Sequence, residues 1–338
     1  MEKIKTGILG YGAAAQMHMT SLAMCPERVV TGIYGPNPEK AKAFAEKYGI
    51  RAFSSREELF AENDCIHITT PNGNHFDDIM DCIAHGKATV CEKPVCMTDE
   101  ELSLVEKALK ESGIPFTAVS QFRFSKAYRT VKNAVDSGAF GKLLTANVKM
   151  LYYRSPEYYT AVPWRGGMKS DGGVLMTQSL HGIDVTLGLL GKPVAVTAMA
   201  KVMHHDIEAP DTSAALVQME NGMAVLLETS TASFPGYPRQ YSISGTAGTV
   251  EMVEESIARW DIPGKEALDM PVGIQDLASG ASDPMNLDYS LHANQYTEFS
   301  NHLLYGTPLS YTFADAAQTV RLINAIFRSA KEDKKIYL

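Results

Sequence analysis

The strongest constraint on this chain lies just after its first apolar run. Residues 5–9 read as a short strand, and GYGAAA, Gly10 to Ala15, follows directly, ahead of a helical stretch over residues 13–24. A glycine at 10 permits a tight turn, a glycine at 12 lets backbone approach a pyrophosphate, and an alanine at 15 allows close helix–sheet packing. The helix N-terminus, with Ala13 and Ala14 in its first turn, supplies amides for an anion. The alternation then repeats. Strands are read over 29–34, 65–69, 88–91 and 116–119, and helices over 37–49, 76–85 and 98–112, the last opening on Thr98 and three acids. Such βα repetition predicts an α/β fold beginning with a doubly wound parallel sheet, a Rossmann domain over residues 1–122.

Beyond residue 123 the pattern changes. A helix is read over 125–137 and strands over 143–153, 194–203, 213–219, 223–231, 240–244 and 249–253, with Asn221-Gly222 as a hairpin signal. Helices resume over 289–305 and 314–330, and 262–286 reads as a loop. Neighbouring strands of this kind predict a second α/β domain over 123–338, with a large open, mostly antiparallel sheet for substrate binding and oligomerisation.

The 45% hydrophobic and 21% charged residues are those of an ordinary globular enzyme. A net charge of -8 without a basic block argues against nucleic acid as a partner. No long uncharged apolar run suggests a membrane span, and the N-terminus reads as a strand and not as a secretion signal. The 5 scattered cysteines form no CxxC pair, which fits a reducing, cytoplasmic compartment.

The fingerprint calls for an acid about 20 residues on, at the end of the second strand, to bind the adenosine ribose. That position is Gly35. Asn37 is a candidate for the ribose and Lys40 for a phosphate, so NAD and NADP both stay open. TTPNGNH, at the end of another strand, offers Thr70, Asn72 and His75 to a cofactor, with Asn74 as helix cap. CEKPV sets Glu92 and Lys93 at the end of the next strand. A lysine fixed there can stabilise a developing alkoxide; the competing reading is a surface lysine. Gln121 and Arg123, after the last parallel strand, are candidates for the nicotinamide pocket and for substrate. Tyr152, Tyr153 and Tyr158 are candidates for stacking on a sugar, or for core. His204 and His205, read as neighbours on a strand, point to opposite faces and do not suggest a shared metal; no metal is expected. His292, on a late helix, is a candidate to reach the site, with solvated surface as the competing and favoured reading.

Taken together, GxGxxA, EKP and the segment DGGVLMTQSLHGID resemble the Gfo/Idh/MocA oxidoreductase family. NPEKAKAFAEKYG, TPNGNH, QFRF, WRG and PGYPRQYSISGTAGT extend the resemblance over nearly the whole chain. It implies a cytoplasmic NAD(P)-dependent sugar dehydrogenase, a homodimer or homotetramer, that oxidises a secondary hydroxyl of a sugar, glycoside or nucleotide sugar, with C3 as a favoured position. Carried over, Lys93 is the oxyanion-stabilising lysine and His181 the general base, and Arg165 lies near the cofactor, with an interdomain ion pair as the competing reading; Gln178 is a candidate for substrate contact. The family often has an aspartate four residues before that histidine, where this chain has Thr177. Inositol dehydrogenase activity and an NAD-recycling glycoside-cleaving or eliminating activity are the alternatives.

Overall fold

The strands of the first sheet are short and apolar because helices cover both its faces. In the computed structural model, which describes residues 3–264 and 288–338, Cys65–Ile68 and Ala88–Cys91 are buried at every position. Six parallel strands build the sheet: β1 (Ile4–Leu9), β2 (Arg28–Tyr34), β3 (Arg51–Ala52), β4 (Cys65–Ile68), β5 (Ala88–Cys91) and β6 (Phe116–Ala118). Their spatial order, β3-β2-β1-β4-β5-β6, is that of a doubly wound dinucleotide-binding sheet, with the strand order reversing between β1 and β4. The helices between them are α1 (Ala13–Leu22), α2 (Pro38–Tyr48), α3 (Arg56–Glu62), α4 (His75–Ala84) and α5 (Asp99–Ser112). Sequence signals set several of their ends. Asn37 caps α2 by accepting from the Lys40 amide, and Thr98 and Glu101 form a reciprocal capping box on α5. The short β3 and α3 give too little periodicity to be read from sequence. Asn74, read as a cap, makes no side-chain capping bond; a 3-10 turn over Asn72–Asn74 runs straight into α4.

By packing, the chain divides into Met1–Gln121 with Tyr289–Ala317, and Phe122–Asp288 with Gln318–Leu338. A single boundary near residue 122 therefore leaves out α9 (Tyr289–Tyr305), which groups with the first unit. Ala293, Tyr296 and Phe299 of α9 belong to the same buried cluster as Ile8, Leu22, Ile33 and Val90. Beyond β6, the Gln295 side chain accepts from the Ser120 amide (2.9 Å) and donates to the Ala118 carbonyl (2.6 Å).

The second unit carries α6 (Lys126–Asp136), β7 (Leu143–Leu151), α7 (Pro156–Thr160), α8 (Leu180–Leu190), β8 (Pro193–Lys201), β9 (Thr212–Met219), β10 (Ala224–Ser230), β11 (Gln240–Gly245), β12 (Thr249–Val253), β13 (Ser256–Asp261) and β14 (Ile336–Tyr337), together with the residues of α10 (Phe313–Glu332) from Gln318 on. Its eight-stranded sheet runs β13-β12-β11-β7-β10-β9-β8-β14, every pair antiparallel except β7 with β10. β9 and β10 alternate buried and exposed residues, so one sheet face belongs to the core and the other faces outward. The loop read over 262–286 falls almost wholly outside the described residues.

Candidate active site

In the first unit, strand register assembles one edge. Tyr34 pairs with Leu9, Leu9 with Ile68, Ile68 with Cys91 and Cys91 with Ala118. The residues just past this line are Gly35, Gly10, Thr69, Glu92 and Val119, so motifs scattered through the sequence share the carboxyl edge where such sheets bind ligands. Gly10 has φ +108°, and a Cβ there would lie 2.8 Å from the Thr69 carbonyl oxygen. At Gly12 a Cβ would meet nothing within 4 Å, and α1 starts there with no side-chain cap and no acid in its first turn. Gly12 and Ala13 are exposed and Ala14 half-exposed. Space beside uncapped amides fits a pyrophosphate. The Gln121 side-chain oxygen is buried without a hydrogen-bond partner among the described residues, and a cofactor amide would satisfy it. The residues present therefore fit NAD(P).

The structure also gives a reason for the glycine where an acid was expected. A Cβ on Gly35 would sit 2.2 Å from Cε1 of Tyr11. The Tyr11 ring takes up that space, so no carboxylate stands at 35 to repel a 2'-phosphate. Asn37 is exposed, with its side-chain oxygen engaged in capping α2.

Three cofactor candidates have other engagements. The Thr70 hydroxyl donates to Asp78 Oδ2 (2.5 Å). Fully buried His75 has Nδ1 2.6 Å from the Pro94 carbonyl and Nε2 2.8 Å from that of Thr70, so its ring ties TTPNGNH to CEKPV. Asn72 is buried in its 3-10 turn. Lys93 is half-exposed between buried neighbours and not a free-standing surface lysine. Beside it Glu92 is buried, accepting from His18 Nε2 (3.0 Å) and from the Lys93 amide (3.2 Å). Burial works to raise the Glu92 carboxyl. The His18 hydrogen bond and the nearby Lys93 and His292 outweigh it and hold the group well below the usual carboxylate range. His292, expected at the surface, is 1% exposed, on the face of α9 that packs inward.

In the second unit, the stretch from Asp171 to Leu187 is buried except at Thr177, Gln178 and His181. Val174–Gln178 forms a single π turn, closed by the Ser179 amide on the Val174 carbonyl (2.8 Å), and α8 follows. Such turns recur at functional sites. His181 opens α8 and meets the Phe122 ring edge-to-face at 5.1 Å. Thr177 donates to the Asp171 carbonyl (2.8 Å) and to the Asp171 carboxylate, whose other oxygen accepts from the Gly166 amide (2.9 Å). A carboxylate thus lies one hydroxyl away from the position where the family often carries it.

Gln178 is held at both ends, accepting from Arg154 (2.8 Å) and donating to the Tyr158 hydroxyl (2.8 Å). Arg165 lies 4.0 Å over the Tyr158 ring and donates to the Tyr158 carbonyl. Arg123, expected to meet substrate, forms a buried two-pronged pair with Asp184 (2.9 and 2.8 Å), which gives the guanidinium a structural engagement. Tyr152 is 5% exposed, packed beneath Arg154 and Arg239, and burial pushes its phenol up; it is core. His205 lies in a turn and not on a strand; its ring nitrogens face Asp211 (3.2 Å) and the Arg154 carbonyl (2.9 Å). Sequence reading missed His18 and His67, which lie in no chemistry-bearing motif, and the part played by Asp171, which opens DGGVLMTQSLHGID.

A doubly wound sheet with an open, uncapped glycine turn, joined to a unit built on an open sheet, defines an NAD(P)-dependent oxidoreductase acting on CH–OH groups. Comparison with known proteins agrees. Residues 4–119 match the model of the oxidoreductase family with NAD-binding Rossmann fold, and residues 128–251 that of the GFO/IDH/MocA C-terminal domain. The chain belongs to the Gfo/Idh/MocA family. It is 27% identical to the scyllo-inositol 2-dehydrogenase (NADP(+)) IolW of Bacillus subtilis, over 100% of this chain and 97% of that protein. It is 24% identical to an inositol 2-dehydrogenase of Rhizobium meliloti, over 98% of each. Among solved structures, the WlbA dehydrogenase of Bordetella pertussis, in complex with NADH and UDP-GlcNAcA, superposes with a TM-score of 0.88 at 27% identity, over 100% of this chain and 98% of that one.

Proposed function

We propose that the protein oxidises a secondary hydroxyl of a sugar, glycoside or nucleotide sugar, with C3 as the position the family resemblance favours. Bound NAD(P), held along Gly10–Ala14 and at Gln121, supplies the hydride acceptor. Lys93 donates a hydrogen bond to the substrate oxygen and stabilises its negative charge as the proton leaves. His181 takes that proton as general base, a task suited to a side chain that ordinarily titrates near neutrality. Asp171 with Thr177 holds the turn that leads into α8, which carries His181 in its first turn. The observation that carries the reading is a half-exposed lysine at the carboxyl edge of β5, beside a buried glutamate that accepts from His18 (3.0 Å) and from the Lys93 amide (3.2 Å).

A cyclitol is the second reading. Two relatives aligned over nearly the full chain are named for inositol oxidation, and Asp171 brings a carboxylate to Thr177. One screen separates the two: reduction of NAD+ and NADP+, followed by absorbance, against inositols, hexoses, glycosides and UDP-sugars. On the substrate it finds, Lys93→Ala is expected to lower kcat by about 100-fold or more while cofactor affinity is largely kept. Normal turnover in Lys93→Ala, or no reduction with any pair, overturns the proposal.

A further inference from the structure

The first unit holds a chain of polar side chains that the reaction as proposed does not use. Arg28 NH1 lies 3.4 Å from His67 Nε2, His67 Nδ1 2.8 Å from His18 Nδ1, and His18 Nε2 3.0 Å from Glu92 Oε1. All four side chains are buried, His18 and His67 completely. Arginine only donates, so His67 Nε2 must accept and His67 carries its proton on Nδ1. His18 Nδ1 must then accept in turn, which leaves the His18 proton on Nε2, aimed at the carboxylate. Were His18 doubly protonated, His67 would have to accept at Nδ1 and present an N–H to the Arg28 donor. The guanidinium forbids that arrangement. Both imidazoles are therefore neutral, and every donor in the chain points toward Glu92. For His67, burial and the facing Arg28 guanidinium act in the same sense, holding its pKa well below the usual histidine range.

We propose that His18 is a positioning residue for Lys93: with its tautomer fixed by Arg28 through His67, it delivers the donor that keeps the buried Glu92 carboxylate ionised and oriented beside the Lys93 amide and ammonium. The inference rests on the reading of Lys93 as the oxyanion-stabilising group and extends it to a residue that never touches substrate. A carboxylate this deeply buried needs donors on its oxygens, since an unpaired buried charge is neutralised instead. His18 serves one oxygen and the Lys93 peptide the other. With Glu92 neutral, the ammonium of Lys93 loses an anion that favours it. The groups facing Glu92 are His18 of α1, the adjacent Lys93 and Cys91, and His292 and Tyr296 of α9; Arg28 of β2 and His67 of β4 stand behind His18. Tyr296 closes the cluster, its ring 5.3 Å from that of His18 and 4.9 Å from that of His67.

Two measurements on the full chain test this without any substrate. Nitrogen-15 NMR of the wild type near pH 7 should show His18 as the Nε2–H tautomer and His67 as the Nδ1–H tautomer. An imidazolium at either position, or the opposite tautomer at His18, overturns the chain. Reductive carbon-13 methylation, with the Lys93 signal assigned by its loss in Lys93→Arg, reads the ammonium itself. The Lys93 titration should move to lower pH in Glu92→Gln and His18→Phe. It should stay near the wild-type position in His18→Gln, whose amide can both accept from His67 and donate to Glu92. An unmoved Lys93 titration in folded Glu92→Gln overturns the proposal, and this variant keeps the test open should His18→Phe fail to fold. A Lys93→Ala enzyme with normal turnover would sink the catalytic reading on separate evidence.

Discussion

Thr177 stands where the family often has an aspartate, and its hydroxyl spans to a carboxylate supplied by Asp171, six positions earlier in sequence. Asp171 is 1% exposed, and its acceptors serve Thr177 and the Gly166 amide. Removing the Thr177 hydroxyl leaves a buried anion short of a donor, at a cost of about 1–3 kcal/mol. Thr177→Val should therefore lower unfolding stability by that amount in urea titrations, with Thr177→Ser close to wild type. Equal stability of both variants would show that this hydrogen bond contributes nothing. Nothing in DGGVLMTQ marked Asp171 as the partner, because the turn that brings it back uses two left-handed glycines, Gly172 (φ +71°) and Gly173 (φ +61°), whose geometry a linear reading does not resolve. Lys93 and His181 stand out as candidates in the sequence because each sits in a short motif. His18 and His67 do not: each lies alone in an apolar run, and only the sheet brings them together.

At the scale of elements, legibility followed periodicity. Ala88–Cys91, Thr249–Val253 and Tyr289–Tyr305 were read with the bounds they have, since a buried apolar run or a sustained helical period marks each. The unit to which α9 belongs was not legible, because amphipathicity shows that a helix has a partner but not which one. The structure ties it to the end of β6 through Gln295, whose amide pairs with the Ser120 N–H and the Ala118 carbonyl. Both are buried main-chain groups that the Gln295 side chain engages. Gln295→Ala should destabilise by about 1–3 kcal/mol and speed hydrogen exchange at the Ser120 amide selectively. Unchanged protection at Ser120 would mean that water or a shifted strand end replaces the amide.

At the scale of the whole molecule, the alternating second unit predicted a sheet with a core face and an outer face, and the outer face bears on assembly. Leu216 of β9 and Leu226 of β10 are direct cross-strand neighbours, 52% and 47% exposed, with Met199 of β8 at 39% on the same face. Lys149 and Glu228 flank them, and the face forms a shallow depression of about 480 Å³. Apolar residues grouped on an otherwise regular sheet, rimmed by charge, mark an interaction surface. A second copy presenting the same face can pair leucine with leucine and Lys149 with Glu228 about a two-fold axis, the self-complementarity that a symmetric dimer requires. Sedimentation at micromolar concentration should therefore find a homodimer or homotetramer, and Leu216→Lys with Leu226→Lys should release a smaller species with unchanged far-UV circular dichroism. The two lysines would stand opposite one another within a chain as well as across the interface, so the single Leu226→Lys serves as control: it should weaken assembly by at least about tenfold in dissociation constant if Leu226 lies near the centre of a buried patch. A wild type that sediments as a monomer, or variants that assemble as the wild type does, would leave this face without a second copy as its partner.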